Sequence, residues 1–316
     1  MDKSMKKLIY APAIFNTNGS LSDRINNLFL EFEKTLGFKT IYSDLMTEEA
    51  REASLILVYA GYHGHRLLRG SLRIPKRTKI IYLLTGPHSF NLNLINQVIE
   101  RGDLNLITYE DFFLKRFPHL KNKVEFFPLY FAPYERYAKL KWKRNPIMMC
   151  LLTGHTNPRL YPLRYWLRSE LSKSRILQKY IVFARHPRWG GMTAKTSSFE
   201  VGPFLNEDYA KILNEYYCSI ATDSIYRYGL AKYYEIPAAG CLLLATQSPD
   251  IDKVGFKPWK HYIRINKSNV IRVIKRILSY PENFDFIRQG GRDFVMENHS
   301  ARNRVAELEE LMERIQ

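Results

Sequence analysis

Residues 221–246 read ATDSIYRYGLAKYYEIPAAGCLLLAT, and their order decides the fold. A short apolar run ends in the polar loop Thr222, Asp223, Ser224, Ile225, Tyr226. A helix predicted over 230–238 follows, then the small turn Ala238, Ala239, Gly240 and a second apolar run, Leu242 to Ala245. Strand, loop, helix, tight turn and strand make one unit of a parallel sheet. Loop hydroxyls and the free N–H groups at a helix start hold anions. With the helix starting near Gly229, Lys232 is one turn in and adds positive charge for a diphosphate. Glu235 shares a helix face with Lys232 and can accept the hydroxyls of a ribose. The alternative is a Lys–Glu surface pair on an amphipathic helix.

Outward from this block the alternation continues. Strands are expected at 7–15, 55–59, 80–84, 104–109 and 124–129, and again at 147–152, 180–184, 219–222, 242–245 and 262–265. Several are short continuous apolar runs, as in strands buried on both faces. A helix over 20–36 presents Ile25, Leu28, Phe29, Phe32 and Leu36 on one face, with Gly37 as its stop. A helix over 205–217 presents Leu205, Tyr209, Ile212, Leu213 and Tyr216. The last helix, 301–315, carries Ala301, Val305, Leu308, Met312 and Ile315. Residues 133–144 (PYERYAKLKWKR) are basic and weakly periodic and read as a connection. The expected fold is α/β: two doubly wound Rossmann-like domains, 1–140 and 141–316, facing a central cleft, with the last helix returning to the first domain.

Composition bounds the function. The chain has 316 residues, 46% hydrophobic and 25% charged, as an ordinary globular protein does. A formal charge of +17 favours anionic partners: nucleotide-sugar phosphates, nucleic acid or an acidic membrane surface. Cys150, Cys218 and Cys241 match neither a metal spacing nor a disulfide framework. No apolar run reaches membrane-spanning length and no secretory pattern opens the chain. The expectation is a cytoplasmic protein whose membrane contact, if any, is peripheral. No G-x-G-x-x-G follows the first strand, which disfavours a nicotinamide dehydrogenase.

The block 232–241 resembles the donor-binding segment of GT-B glycosyltransferases of the group-1-like families. There a Lys or Arg is followed by two apolar residues, Glu, and a small-residue turn ending in Gly; here these are Lys232, Tyr233, Tyr234, Glu235 and the turn to Gly240. The likeness extends through Pro281, Gly290-Gly291-Arg292, His299, and Arg302 or Arg304, and back to the strand-end loop of 153–164, with Gly154 and the Pro162-Leu163-Arg164 run. It covers roughly 147–315. The resemblance implies transfer of a sugar from a nucleotide-diphosphate sugar, UDP-linked first and GDP-linked second, with no cofactor and no metal. The acceptor it implies is a glycan or a lipid- or protein-linked group. The basic charge keeps a nucleic-acid acceptor open, and so a non-catalytic binder of nucleic acid or membrane on the same scaffold.

Lys232 and His88 are the catalytic candidates; Glu235, Ser224, Tyr226, Thr222, Arg185, His186, Gly154 and Arg227 are the donor-binding candidates. Arg185 and His186 open a loop (RHPRWGG) that can hold a base and a phosphate, or can be a solvated basic loop. Many retaining members carry a second Glu where this chain has Arg227, so the anomeric outcome stays open. His88, in a Gly86-Pro87 turn, can orient the sugar or move a proton. His63 and His65 are a weaker pair; no third metal ligand accompanies them.

Overall fold

The structure is a computed structural model that describes residues 6–16, 20–61, 64–86, 91–185 and 199–315. The candidates His63, His88 and His186 lie outside these residues. The chain forms two compact units: Met1–Leu129 with Ala301–Gln316, and Tyr130–Ser300.

The first unit runs β1 (Lys7–Ala11), α1 (Ser20–Leu36), β2 (Phe38–Tyr42), β3 (Leu55–Ala60), α2 (His65–Ser71), β4 (Lys79–Leu84), α3 (Leu92–Arg101), β5 (Leu104–Ile107), α4 (Glu110–Arg116) and β6 (Glu125–Phe126). Its strands pair in parallel in the order β2-β1-β3-β4-β5-β6. Every residue of β3 (LILVYA) is buried, as a strand covered on both faces requires. The predicted apolar face of α1 is buried at Ile25, Leu28, Phe29, Phe32 and Leu36. Phe29 meets Tyr59 of β3 edge-on, with ring centroids 5.6 Å apart. Strand β2 had no counterpart in the sequence reading. It is an edge strand with only Phe38 buried, so its FKTIY run lacks the apolar continuity of its neighbours.

The second unit runs α5 (Tyr134–Tyr137), β7 (Ile147–Thr153), α6 (Pro162–Lys173), β8 (Ile181–Ala184), β9 (Glu200–Val201), α7 (Asn206–Glu215), β10 (Tyr216–Ala221), α8 (Lys232–Ala238), β11 (Leu242–Ala245), α9 (Pro249–Lys253), β12 (Ile263–Arg264), α10 (Val270–Ser279) and α11 (Asp285–Asn298). Its order is β12-β11-β10-β7-β8-β9, also parallel. From β7 the chain winds outward through β8 and β9, then returns to β10 on the other side of β7. That reversal is the switch point where such sheets hold ligands, beyond the carboxyl ends of β7 and β10. The closing helix α12 (Ala301–Glu313) packs on α1 of the first unit.

Two expectations change. Tyr216 does not end α7 but opens β10, whose six residues YYCSIA are all buried. A buried run with two Tyr, whose single polar side chain, Ser219, bonds the Leu151 carbonyl (2.7 Å), fits a central strand better than a helix end. The basic stretch 133–144 is not a free connection. Tyr137 is fully buried; Asn214 donates to the Lys141 carbonyl (3.2 Å) and Arg292 to that of Leu140 (2.7 Å). Arg288 donates to the Lys143 carbonyl (3.0 Å) and lies 4.1 Å over the Trp142 ring.

The C-terminal residues that carried the resemblance are framework. A Cβ on Gly290 would sit 2.7 Å from the Lys260 carbonyl oxygen, and one on Gly291 2.5 Å from that of His261. The glycine pair therefore lets α11 approach this backbone. His299 is buried, stacked at 5.6 Å on Phe256, and its carbonyl accepts from the Ala132 amide (3.0 Å).

Candidate active site

The carboxyl end of β7 brings Thr153 and Gly154 to the switch point. Gly154 has φ +100, a conformation an L side chain resists. A Cβ there would come within 2.8 Å of Arg164 Nη1 and 3.0 Å of Lys232 Cε. A glycine is thus needed twice, for its backbone angle and for the room in which two cationic side chains converge.

Arg164 is only 1% exposed. Nη1 donates to the His155 carbonyl (2.9 Å) and Nη2 to the Thr222 carbonyl (3.2 Å), so one guanidinium ties the loop after β7 to the loop after β10. Its carbon lies 4.3 Å over the Tyr161 ring. Its Nε has no hydrogen-bond partner among the described residues. Burial pulls its pKa down, and the neighbouring Tyr161, Tyr209, Tyr233 and Asp223 offset this in part. A guanidinium removed from water without a bonded carboxylate is a charge whose desolvation an anionic ligand would offset.

Lys232 donates through Nζ to Thr153 Oγ1 and to the Tyr209 hydroxyl (2.9 Å), and lies 4.8 Å over the Tyr209 ring. Thr153 and Tyr209 also meet, Oγ1 to OH at 3.1 Å. The expected geometry needs one correction. The helix does not begin near Gly229: residues 227–230 are irregular and α8 starts at Lys232 itself, without a side-chain cap. Lys232 is thus the first helical residue, and what it presents is its own ammonium rather than a place beside a helix-end anion site. The reason is local: Arg227 has φ +57 and its carbonyl accepts from Ser248 Oγ (2.8 Å), which holds the chain out of a helix. Glu235 follows on α8, 4% exposed.

The loop after β10 is tightly made. Thr222 is fully buried, with Oγ1 unbonded among the described residues. The Asp223 amide donates to Thr246 Oγ1 (2.7 Å), which donates to Asp223 Oδ1 (2.7 Å). Burial raises the Asp223 carboxyl pKa, while the Thr246 bond and Arg227 pull the other way. Ser224 Oγ accepts from the Tyr226 amide (3.1 Å) and bonds Tyr228. Tyr226 and Tyr228 are stacked at 5.9 Å and 13°. At the end of β8 the Arg185 amide donates to Val201 O (2.9 Å), and its guanidinium bonds the Gly202 carbonyl.

The structure therefore brings Gly154, Thr222 and Lys232 around Arg164. In the sequence Arg164 stands out only as the end of the Pro162-Leu163-Arg164 run, and Tyr209 only as part of an apolar helix face. The available signal was the distance of Arg164 from a strand-ending glycine. No single-chain pattern shows that Tyr209 turns its hydroxyl to Lys232.

Residues 169–310 match the family described as Glycosyl transferase-like. No curated protein matches the sequence. The structure is similar to an alpha-glucosyltransferase in complex with UDP and a 13-mer DNA, at 11% identity and TM-score 0.69 over 98% of this chain and 100% of that one. It is similar to HepE of Anabaena in complex with UDP-glucose (9% identity, TM-score 0.68, 98% and 99% covered). It is similar also to sucrose-phosphate synthase from Thermosynechococcus elongatus (12%, 0.64, 98% and 99%). These likenesses define the fold as GT-B. The family match, over 169–310, likens the C-terminal part of the chain to glycosyl transferases.

Proposed function

We propose that the chain transfers a sugar from a nucleoside-diphosphate sugar, UDP-linked by preference, to an acceptor hydroxyl without help from a metal ion. The observation that carries this reading is the convergence of Arg164 and Lys232 on Gly154 at the switch point of the second sheet. In the reaction the bond from the anomeric carbon to the diphosphate oxygen breaks. The acceptor oxygen forms the new bond and gives up its proton. Negative charge grows on the departing diphosphate, and two fixed cations in a poorly hydrated site stabilise it most at that moment. Thr222, Ser224 and Tyr226 shape the loop against which the diphosphate rests; Glu235 accepts the ribose hydroxyls. Arg185 and His186 border the base, Arg227 the phosphates, and His88 orients the sugar or receives the proton. UDP in the solved relatives supports the choice of base.

The acceptor proposed first is a glycan or a lipid- or protein-linked group. One observation favours a second reading, a nucleic-acid acceptor: the charge of +17 together with the DNA bound to the similar alpha-glucosyltransferase. Radiolabel transfer from UDP-sugar to duplex DNA, against transfer to glycan primers, separates the two.

The test of the donor is a thermal-shift panel of UDP-, GDP-, ADP- and CMP-sugars with and without chelator. A specific rise with a UDP-sugar that survives chelator is the expected outcome. Glu235→Ala should abolish that rise while the unliganded melt stays cooperative. Unchanged donor affinity in this variant sinks the ribose assignment, and strict dependence on a divalent ion sinks the metal-free reading.

A further inference from the structure

The amino edge of the second sheet, opposite the donor loops, carries five large apolar side chains in the open. They are Ile147 (44% exposed), Met148 (39%), Ile176 (63%), Tyr280 (57%) and Phe286 (65%). Their clustering follows from the topology. Ile147 and Met148 open β7, and Tyr216 of β10 pairs with Ile147. Strand β8 joins β7 only from Cys150 onward, so the first residues of β7 project past it. Helices of a parallel sheet run back to the edge where strands begin. There α6 ends and Ile176 leads towards β8, and there α10 ends and Tyr280 follows. The Tyr217 hydroxyl, near the start of β10, donates to the Pro281 carbonyl (2.6 Å) and lies 3.1 Å from Asp285 Oδ1, which fixes Tyr280 and Phe286 at this edge. Lys275 of α10 lies 5.6 Å over the Tyr180 ring, joining that helix to the entry of β8.

Exposed bases surround these side chains: Arg144, Arg175, Lys179, Lys275 and Arg276. Of the acids nearby, Glu170 pairs with Lys173, Glu215 with Lys143, and Asp285 faces Arg288 at 3.8 Å; Glu282 is exposed. Residues 264–280 hold five bases and no acid. The second unit as a whole has 27 of the 48 Lys and Arg but 14 of the 31 Asp and Glu, so it bears +13 of the net +17.

We infer that this edge docks on an anionic lipid surface. Ile, Met and Phe exposed together are unfavourable in water and gain by entering the acyl boundary of a membrane. Lys and Arg around them meet acidic headgroups at the depth those side chains set. Phosphate backbones would use the bases but leave the aliphatic side chains in water. No helix among the described residues is long and apolar enough to cross a membrane. The donor loops lie at the opposite edge of the same sheet, so membrane binding and donor binding involve different residues.

The experiment is flotation of the full chain with vesicles of phosphatidylcholine, with and without phosphatidylserine. The expected result is binding to the phosphatidylserine vesicles that weakens with salt. It should fall about tenfold or more in Ile176→Ser/Phe286→Ser and in Arg175→Gln/Lys179→Gln/Lys275→Gln/Arg276→Gln. Both variants should keep the parent melting temperature and UDP affinity, since their residues are exposed and away from the donor loops. No binding to acidic vesicles, or binding that neither variant weakens, overturns the inference. Duplex DNA bound through the same bases with vesicles ignored overturns it in favour of a nucleic-acid surface. Dimers lost in the apolar variant, with no vesicle binding, overturn it in favour of self-association.

Discussion

The first unit orders its strands β2-β1-β3-β4-β5-β6, and the second runs β12-β11-β10-β7-β8-β9. Both are six-stranded and parallel, yet their crevices differ. At the reversal of the first sheet, after β1 and β3, Phe15 packs edge-on against Tyr59 at 5.2 Å and the Ala13 amide donates to Asp44 Oδ1 (3.1 Å). At that of the second, a buried Arg and a Lys converge on a glycine in a left-handed conformation. The first unit is close to charge balance, with 21 bases and 17 acids. A doubly wound sheet creates a place for a ligand; the residues at its strand ends decide whether an anion is favoured there.

That contrast can be broken experimentally, most severely at the cations. Arg164→Met and Lys232→Met should each lower kcat about 100-fold or more, in the range lost when a transition-state donor is removed, as single-turnover kinetics with UDP-sugar would measure. Rates within a few-fold of the parent would leave the two crevices chemically equivalent. Next in size are core truncations, one per unit. Leu57→Ala in β3 and Leu151→Ala in β7, both fully buried, should each cost about 2–5 kcal/mol. Calorimetry with UDP should restore the transition lowered by Leu151→Ala and leave the other unmoved.

Gly154→Ala is a smaller perturbation. Its strained φ and its approach to Arg164 and Lys232 should cost about 1–2 kcal/mol, and weaken UDP binding more than they weaken the fold. Equal affinity in that variant would separate Gly154 from the donor. The smallest effect concerns pH. Burial, with Lys260 and Lys257, pulls the His261 pKa down from 6.5 to about 4. The folded state therefore holds His261 neutral where the unfolded chain would protonate it. Its contribution is whole above about pH 6.5 and is lost as pH falls towards 4, amounting to roughly 2 kcal/mol or less. His261→Phe, a ring suited to the stack on Phe294 at 4.0 Å, should flatten the acid limb of a urea-melt series.

Much of the fold is legible in the sequence. Continuous apolar runs such as LILVYA, short and rich in β-formers, suit strands covered on both faces. The spacing of Ile25, Leu28, Phe29, Phe32 and Leu36 admits only a helix. The edge strand β2 escaped because an exposed strand needs no apolar pattern. Tyr216 misled because an aromatic residue suits a helix face and a strand equally well. At the candidate site, the block 232–240 names Lys232 and Glu235 as candidates, but α8 begins three residues later than its composition suggests, because Arg227 is held in the left-handed region by its own neighbours.

The sequence by itself determined two parallel α/β sheets and the segment that bears the donor-binding likeness, because periodicity and turn chemistry are local properties. Only the tertiary structure decided that Arg164, more than 50 residues from Thr222 in the chain, reaches its carbonyl, and that Tyr209 and Thr153 hold Lys232. The winding of the strands also gathers Ile147, Ile176, Tyr280 and Phe286 at one edge. Side-chain convergence depends on strand order and register, which bring together residues far apart in sequence, and no local pattern records that order.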